Sequence, residues 1–300
     1  MKAIVLGGTG FVGVNVRAAL HAAGFATVAV SRTGAVPVDL TAPAGTGQLA
    51  RLLAAERAGV VVNAAGRPWR STPAEMVAGN ESIVERMLDA VAAVGHPVRV
   101  VQLGSVHEYG LGAPGTAYRE DGPAAPVTEY GRSKLRATSA VLRSGVDAVV
   151  LRVSNVCGRG TPPGSLLRTV ADHLAAGATG HAAPIRFGSL RTWRDFVDVR
   201  DVAAAVVAAA RTPVAGGQVV NVGRGEAVHA RRLVDRMVEL SGLPVRVVEG
   251  EGGDVEWQQL DVSKAARVLG WRPRFSLDDS LRELLDECLG GLPAVLPRAA

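Results

Sequence analysis

Cysteine is nearly missing from the 300 residues: Cys157 and Cys288 stand far apart, with no histidine at metal-ligand spacing. This argues against a disulfide framework or a zinc site, so no metal is expected and a reducing, cytoplasmic setting is the default. Aromatic residues are only 4% of the chain, and Lys2, Lys134 and Lys264 are its lysines, although the formal net charge is +5. Scattered arginines carry that charge, without a basic run and with few rings for stacking, which disfavours nucleic acid as a partner. Selected arginines suit an anionic small ligand better. Long apolar runs are lacking too. The longest, Val199 to Ala210, is interrupted by Arg200 and Asp201, so no membrane span is expected. The opening MKAIVLGGTG is too short in apolar residues for a signal peptide and reads as a first strand.

What is present is alternation. Ala3 to Leu6, Phe25 to Val30, Gly59 to Ala65, Val98 to Leu103 and Asp147 to Val153 are apolar runs of the kind buried on both faces of a parallel sheet. Between them, Val12 to Ala23, Ala74 to Val94 and Thr128 to Arg143 carry helical spacing. The pattern predicts an α/β fold with a Rossmann-type doubly wound parallel sheet. After Asn155 a Pro/Gly-rich loop and shorter elements follow: helices near Leu166 to Ala176, from Asp201, over His229 to Leu240 and over Ser263 to Leu269, with strands near Phe196 and at QVVNV. They suggest a small, interleaved C-terminal substrate domain. The expected division is 1–155 for the nucleotide domain, with returns near 185–222, and 156–184 plus 223–300 for the substrate domain.

Two constellations carry chemistry. Gly7-Gly8-Thr9-Gly10-Phe11-Val12-Gly13 places G-x-x-G-x-x-G between a strand and a helix. Glycine tolerates positive φ, and its missing side chain lets a pyrophosphate reach amides at the helix start. Further on, Tyr130 and Lys134 form Y-x-x-x-K on one helix face, where an ammonium is expected to lower the phenol pKa and fit it for proton transfer. Upstream, the stretch Ser105-Val106-His107-Glu108-Tyr109-Gly110 follows an apolar strand.

Taken together, these residues resemble the extended, nucleotide-sugar branch of the short-chain dehydrogenase/reductase superfamily, the NAD-dependent epimerase/dehydratase family. The resemblance implies a catalytic set of Ser105, Tyr130 and Lys134. Ser105 would donate to a substrate carbonyl rather than act as a nucleophile, Tyr130 would exchange a proton with the substrate oxygen, and Lys134 would hold the nicotinamide ribose. It implies cofactor contacts from Gly7, Thr9, Gly10, Phe11, Val12, Gly13, Ser31, Asp39, Leu40, Ala64, Ala65, Gly66, Tyr130, Lys134 and Val153. Strand two ends Val30-Ser31-Arg32 without the acid that holds an NAD ribose, and Arg32 can pair with a 2′-phosphate. NADPH is therefore the expected cofactor. Asn80 matches a helix asparagine with a structural role, and dimerisation through two helices of the nucleotide domain is common in the family.

The substrate reading follows from the same resemblance. Leu151-Arg152-Val153-Ser154-Asn155-Val156-Cys157-Gly158 and Arg194-Asp195-Phe196-Val197-Asp198 match segments whose asparagine and arginine face a substrate diphosphate. Asn155, Arg194, Ser105 and His107 are thus the expected substrate contacts, and Asp201 and Asp261 are expected to cap helices. Glu251 stands where many nucleotide-sugar members have a second arginine clamp, and Cys157 replaces a tyrosine as a small core residue. Sugar 4,6-dehydratases follow their catalytic threonine with Asp-Glu; Val106 cannot act as an acid, so dehydration is disfavoured. The pattern looks most like 4-ketoreductases of bacterial deoxysugar pathways, which act on dTDP-4-keto-6-deoxyhexoses for natural products such as antibiotics. Reduction of a non-nucleotide ketone, such as a polyketide aglycone, and NDP-sugar 4-epimerisation are the alternatives. A non-catalytic NADPH-sensing regulator is more remote.

Overall fold

A computed structural model describes residues 1–67, 71–178, 183–213, 217–252 and 256–290. Its strands are β1 (Lys2–Leu6), β2 (Ala26–Ser31), β3 (Val36–Pro37), β4 (Val60–Asn63), β5 (Arg99–Ser105), β6 (Ala148–Val153), β7 (Asn155–Cys157), β8 (Ile185–Phe187), β9 (Trp193–Asp198), β10 (Gln218–Val222), β11 (Ala227–His229), β12 (Val247–Glu249) and β13 (Trp257–Gln258). Its helices are α1 (Phe11–Ala22), α2 (Ala44–Glu56), α3 (Pro73–Met76), α4 (Ile83–Ala92), α5 (Glu129–Arg143), α6 (Leu166–Ala178), α7 (Val199–Arg211), α8 (Ala230–Ser241), α9 (Ser263–Leu269) and α10 (Leu277–Leu289).

A seven-stranded sheet in the order β10-β6-β5-β4-β1-β2-β3 runs parallel throughout. Strand alternation divides its side chains between two cores. Ala3, Val5, Val60, Val62, Val101, Leu103, Val149 and Leu151 pack with α1 and α7 on one face. Ile4, Leu6, Val61, Val100 and Val150 pack with α2, α4 and α5 on the other. Both faces being covered explains why these strands lack polar alternation. The chain reverses its winding between β1 and β4, and in open α/β sheets ligands bind at such a switch point, beyond the carboxyl ends of the strands.

The remaining elements sit at that end. β7, β9, β11 and β13 form a second sheet, and β8 pairs with β12. A third core joins α6, α8 and α10 through residues such as Leu167, Leu174, Leu233, Met237 and Leu281, and it includes the buried Cys157. α9 and Trp271 join the main-sheet core instead.

Three local differences from the sequence reading have physical causes. The helix expected over Ala74 to Val94 is interrupted by a π-helical stretch, Val77–Ser82, which carries Asn80. α2 has no side-chain cap and two glycines, so only its buried Leu49 and Leu53 mark it. The expected capping role of Asp201 is corrected: Asp198 caps α7 by accepting the Arg200 amide, while Asp201 lies in the first turn and accepts the amides of Arg274 and Phe275. Asp261 does accept the amide of Ser263, at the start of α9.

Candidate active site

The glycine-rich turn leaves β1 and enters α1. Gly7 has φ of 70°, and a Cβ on Gly13 would lie 2.1 Å from the Gly7 carbonyl oxygen, so neither position accepts a side chain without moving the turn. Gly10 is the N-cap of α1 and no side chain caps it. The helix start, with Phe11, Val12 and Gly13, therefore lacks a side-chain acceptor of its own, as an anion-binding terminus requires.

Gly7, Thr9, Gly10, Ser31, Arg32, Asp39, Leu40, Ala64, Ala65 and Gly66 line one cleft of about 290 Å³. The hydroxyl oxygen of Ser31 is buried there without a hydrogen-bond partner. The Asp39 carboxylate sits below its usual pKa, chiefly through hydrogen bonds from Thr41; burial opposes this, and the charges of Arg32 and Arg86 add to it. An exposed guanidinium, an orphaned hydroxyl and a carboxylate around a slot beside uncapped amides fit the adenosine end of a dinucleotide. Val153 lies at the end of β6, outside the lining of that cleft.

The candidate catalytic residues come from β5 and α5. β5 ends at Ser105, which caps a 3₁₀ turn, Val106–Glu108, and accepts the His107 amide at 3.3 Å. With a lone pair engaged, the Ser105 hydroxyl can donate outward, and it is hydrogen-bonded to Tyr130, which favours the phenolate. Tyr130 and Lys134 project from α5 one turn apart. Lys134 is buried, and its ammonium donates to the Leu103 carbonyl at 2.6 Å. Here the sequence expectation differs from the structure. Burial pushes the Tyr130 phenol above its usual pKa, the Ser105 bond opposes this, and the charge of Glu108 adds to the rise. Burial also pushes Lys134 down, against the pull of Glu108.

Asn80 ties this region together. Its carboxamide oxygen accepts the Arg67 amide at 2.7 Å, and its nitrogen donates to Ser133 on α5 and to the Arg67 carbonyl. Asn63 and Gln102, in register on β4 and β5, bond through their side chains at 2.9 Å beneath the cleft floor.

The four expected substrate contacts separate. His107 stands edge-on to Tyr130, with ring centroids 5.6 Å apart. Burial first, and the charge of Arg194 second, lower its pKa to about 4 while Glu256 opposes them, so the imidazole is neutral near pH 7. The charge of Arg194 acts on His107 and Tyr118, and the guanidinium forms an ion pair with Glu256 and keeps its Nη1 buried without a partner. Asn155 instead donates its amide to the Asp195 carbonyl at 2.9 Å, a bond that joins β7 to β9. Glu251 lies at an exposed position, while Gly253 and Asp254 of the same stretch, Glu251-Gly252-Gly253-Asp254, lie outside the described residues.

Glu256 and Tyr118 were missed by the sequence reading because only tertiary contact brings them to Arg194. Asp195, next to Arg194 in the segment noted from the sequence, serves the backbone around it. It is fully buried and accepts from the amides of Arg224, Gly225 and Leu260, yet burial still raises its carboxyl pKa to about 6. Among the described residues no cluster of histidine, cysteine and acids is suited to hold a metal ion, and no helix is long and apolar enough to cross a membrane.

Comparisons with known proteins place this geometry in a family. Residues 3–223 match the NAD dependent epimerase/dehydratase family. A dTDP-6-deoxy-L-talose 4-dehydrogenase (NAD(P)(+)) of Kitasatospora kifunensis is 44% identical, over 94% of each chain. The structure of MoeE5 in complex with UDP-glucose and NAD superposes with a TM-score of 0.84 and 28% identity, covering 95% of this chain and 98% of that one. RMD from Pseudomonas aeruginosa, complexed with NADPH, shares the fold with a TM-score of 0.85 and 24% identity, covering 96% and 98%. These two structures carry different cofactors, NAD in the first and NADPH in the second. With its parallel sheet, its glycine turn and this breadth of match, the chain belongs to the NAD dependent epimerase/dehydratase family and is an NAD(P)-dependent oxidoreductase of the extended short-chain dehydrogenase/reductase type.

Proposed function

We propose that the protein is an NADPH-dependent ketoreductase that delivers hydride to the C4 carbonyl of a dTDP-linked 4-keto-6-deoxysugar. The observation that carries this reading is the convergence of Ser105, Tyr130 and Lys134 at the carboxyl end of β5, beyond a glycine turn suited to a dinucleotide. The bound nicotinamide supplies hydride. Ser105 donates a hydrogen bond to the carbonyl oxygen as charge develops on it. Tyr130, whose raised pKa keeps it protonated, gives its proton to that oxygen. Lys134 lies buried one turn along the same helix and holds the nicotinamide ribose. Val106, buried directly after Ser105, offers no acid for elimination of water.

Arg32 and the unpartnered Ser31 hydroxyl support NADPH, since both suit a 2′-phosphate. The Kitasatospora relative is named for C4 dehydrogenation of a dTDP-6-deoxy sugar with either cofactor, which supports the position of attack and the substrate class. His107 and Arg194 lie on the side of Tyr130 where the sugar and its diphosphate would enter. Asn155 would reach the substrate only by giving up its bond to the Asp195 carbonyl, and two chains would pair through helices of the nucleotide domain in the reducing cytoplasm.

A second reading, reduction of a ketone without a nucleotide, is favoured by one observation: Glu256 already occupies the guanidinium of Arg194. The deciding experiment follows oxidation of NADPH and NADH with dTDP- and UDP-4-keto sugars and with polyketide ketones. Turnover with a dTDP-4-keto-6-deoxysugar and NADPH is expected. Turnover with an aglycone and with no nucleotide sugar would overturn the substrate assignment.

A further inference from the structure

The loop that presents Ser105 also carries an acid that the Ser-Tyr-Lys set does not use. Glu108 is fully buried in the turn after β5. Its Oε1 accepts the Ser105 amide at 2.8 Å, and its Oε2 accepts Nε of Arg152 at 2.7 Å. Arg152 comes from β6, in register with Gly104, and is itself buried. Its guanidinium lies 4.5 Å above the centre of the Tyr109 ring, whose hydroxyl donates to Asn221. A side chain at position 104 would meet Glu108, because a Cβ there would lie 2.6 Å from Oε1.

A buried ion pair is a poor device for stability alone, since apolar residues of similar volume often serve as well or better. Its location supplies another reason. The carboxylate touches the backbone of Ser105, and its charge acts on both Tyr130 and Lys134. Facing Tyr130 besides Glu108 are Ser105 and His107 from the loop, while Lys134 shares its helix. Arg194 on β9 and Glu256, which directly precedes β13, act on His107. His107 is neutral near pH 7, so it contributes no charge there.

We propose that Glu108 and Arg152 are positioning residues of this site: the carboxylate fixes the backbone beneath Ser105 and places its charge near Tyr130 and Lys134, while Arg152 anchors that carboxylate from the neighbouring strand. The inference rests on the reading of Tyr130 as the proton donor and deepens it. A fixed negative charge opposes loss of a proton from both the phenol and the ammonium. Reduction needs Tyr130 protonated, so the charge extends turnover toward higher pH.

Glu108→Gln tests this, because the amide oxygen can still accept from Ser105 while the charge is gone. Phenolate absorbance is recorded after a rapid pH jump, and the signal of Tyr130 is isolated by subtracting the matching Tyr130→Phe protein. The Tyr130 midpoint is expected to fall by about one pH unit relative to the parent. The alkaline limb of turnover should move with it. Glu108→Gln with Arg152→Gln, which leaves no unpaired guanidinium, should shift the midpoint in the same direction. An unchanged midpoint in a folded variant overturns the proposal, as does failure of both variants to fold, which would make the pair structural only. The phenolate titration needs no ketone. A ketone panel without turnover would therefore defeat the proposed function while leaving this test intact.

Discussion

The glycine-turn cleft and the Ser105–Tyr130–Lys134 cluster are built on opposite principles. The nucleotide end is made by omission: Gly7 and Gly13 clear space, Gly10 leaves a helix start uncapped, and the residues involved are nearly consecutive. The catalytic end is made by burial of charge and polarity. Lys134, Glu108, Arg152 and Asp195 are buried, and their partners arrive from distant segments, with Arg152 lying 44 positions after Glu108. The first kind of site is governed by local backbone geometry, whereas the second depends on the dielectric that the fold creates around each group.

The contrast can be broken at its strongest point by Tyr130→Phe. Turnover should fall by about 10²–10⁴-fold, the usual share of a general acid, with cofactor affinity little changed. A parallel loss of cofactor binding, read by fluorescence titration, would show that the two ends are not separable. Gly13→Ala attacks the other end. Its Cβ must displace the Gly7 carbonyl, so overpacking should cost about 1–3 kcal/mol in denaturant unfolding and weaken both cofactors. Preserved affinity for NADPH and NADH would show that the turn is more yielding than its geometry implies.

Arg32→Ala sharpens the comparison within the nucleotide end. Loss of a charge-assisted contact should weaken NADPH by roughly tenfold or more and leave NADH unaffected. An equal effect on both cofactors would remove the 2′-phosphate assignment. The smallest effect concerns His107. The folded chain holds its pKa at about 4 against the 6.5 of a free histidine side chain, so the unfolded state binds more protons between those limits. Stability should therefore fall as the pH drops from about 6.5 toward 4. His107→Phe, which keeps a ring beside Tyr130, should remove part of that loss, measured by denaturant unfolding across the range. An unaltered acid profile would assign the sensitivity to other groups.

Legibility follows the same division. The β1 turn, the buried strands and the Y-x-x-x-K helix were readable because local steric rules and periodicity determine them. The π-helical stretch holding Asn80 has no such signature, since one extra residue in a helical turn leaves the hydrophobic pattern nearly intact. α10 carried a readable capping box, Ser276 with Asp279, that the periodic reading did not use. The direction of the Tyr130 shift also escaped sequence reasoning. Spacing suggested a phenol lowered by its lysine, but that ammonium donates to Leu103 and burial dominates.

By itself, then, the sequence determined the doubly wound sheet, the glycine turn and the pairing of Tyr130 with Lys134 on one helix face, and the family resemblance added Ser105 to that pair. The first three depend on short-range geometry written within short stretches of chain. Only the tertiary structure decided what surrounds them: that Glu108 is paired with Arg152 beneath Ser105, that His107 is kept neutral beside Tyr130, and that Glu256 meets Arg194. Charge and protonation depend on neighbours brought from far along the chain and on the water they exclude, and neither is encoded in local spacing.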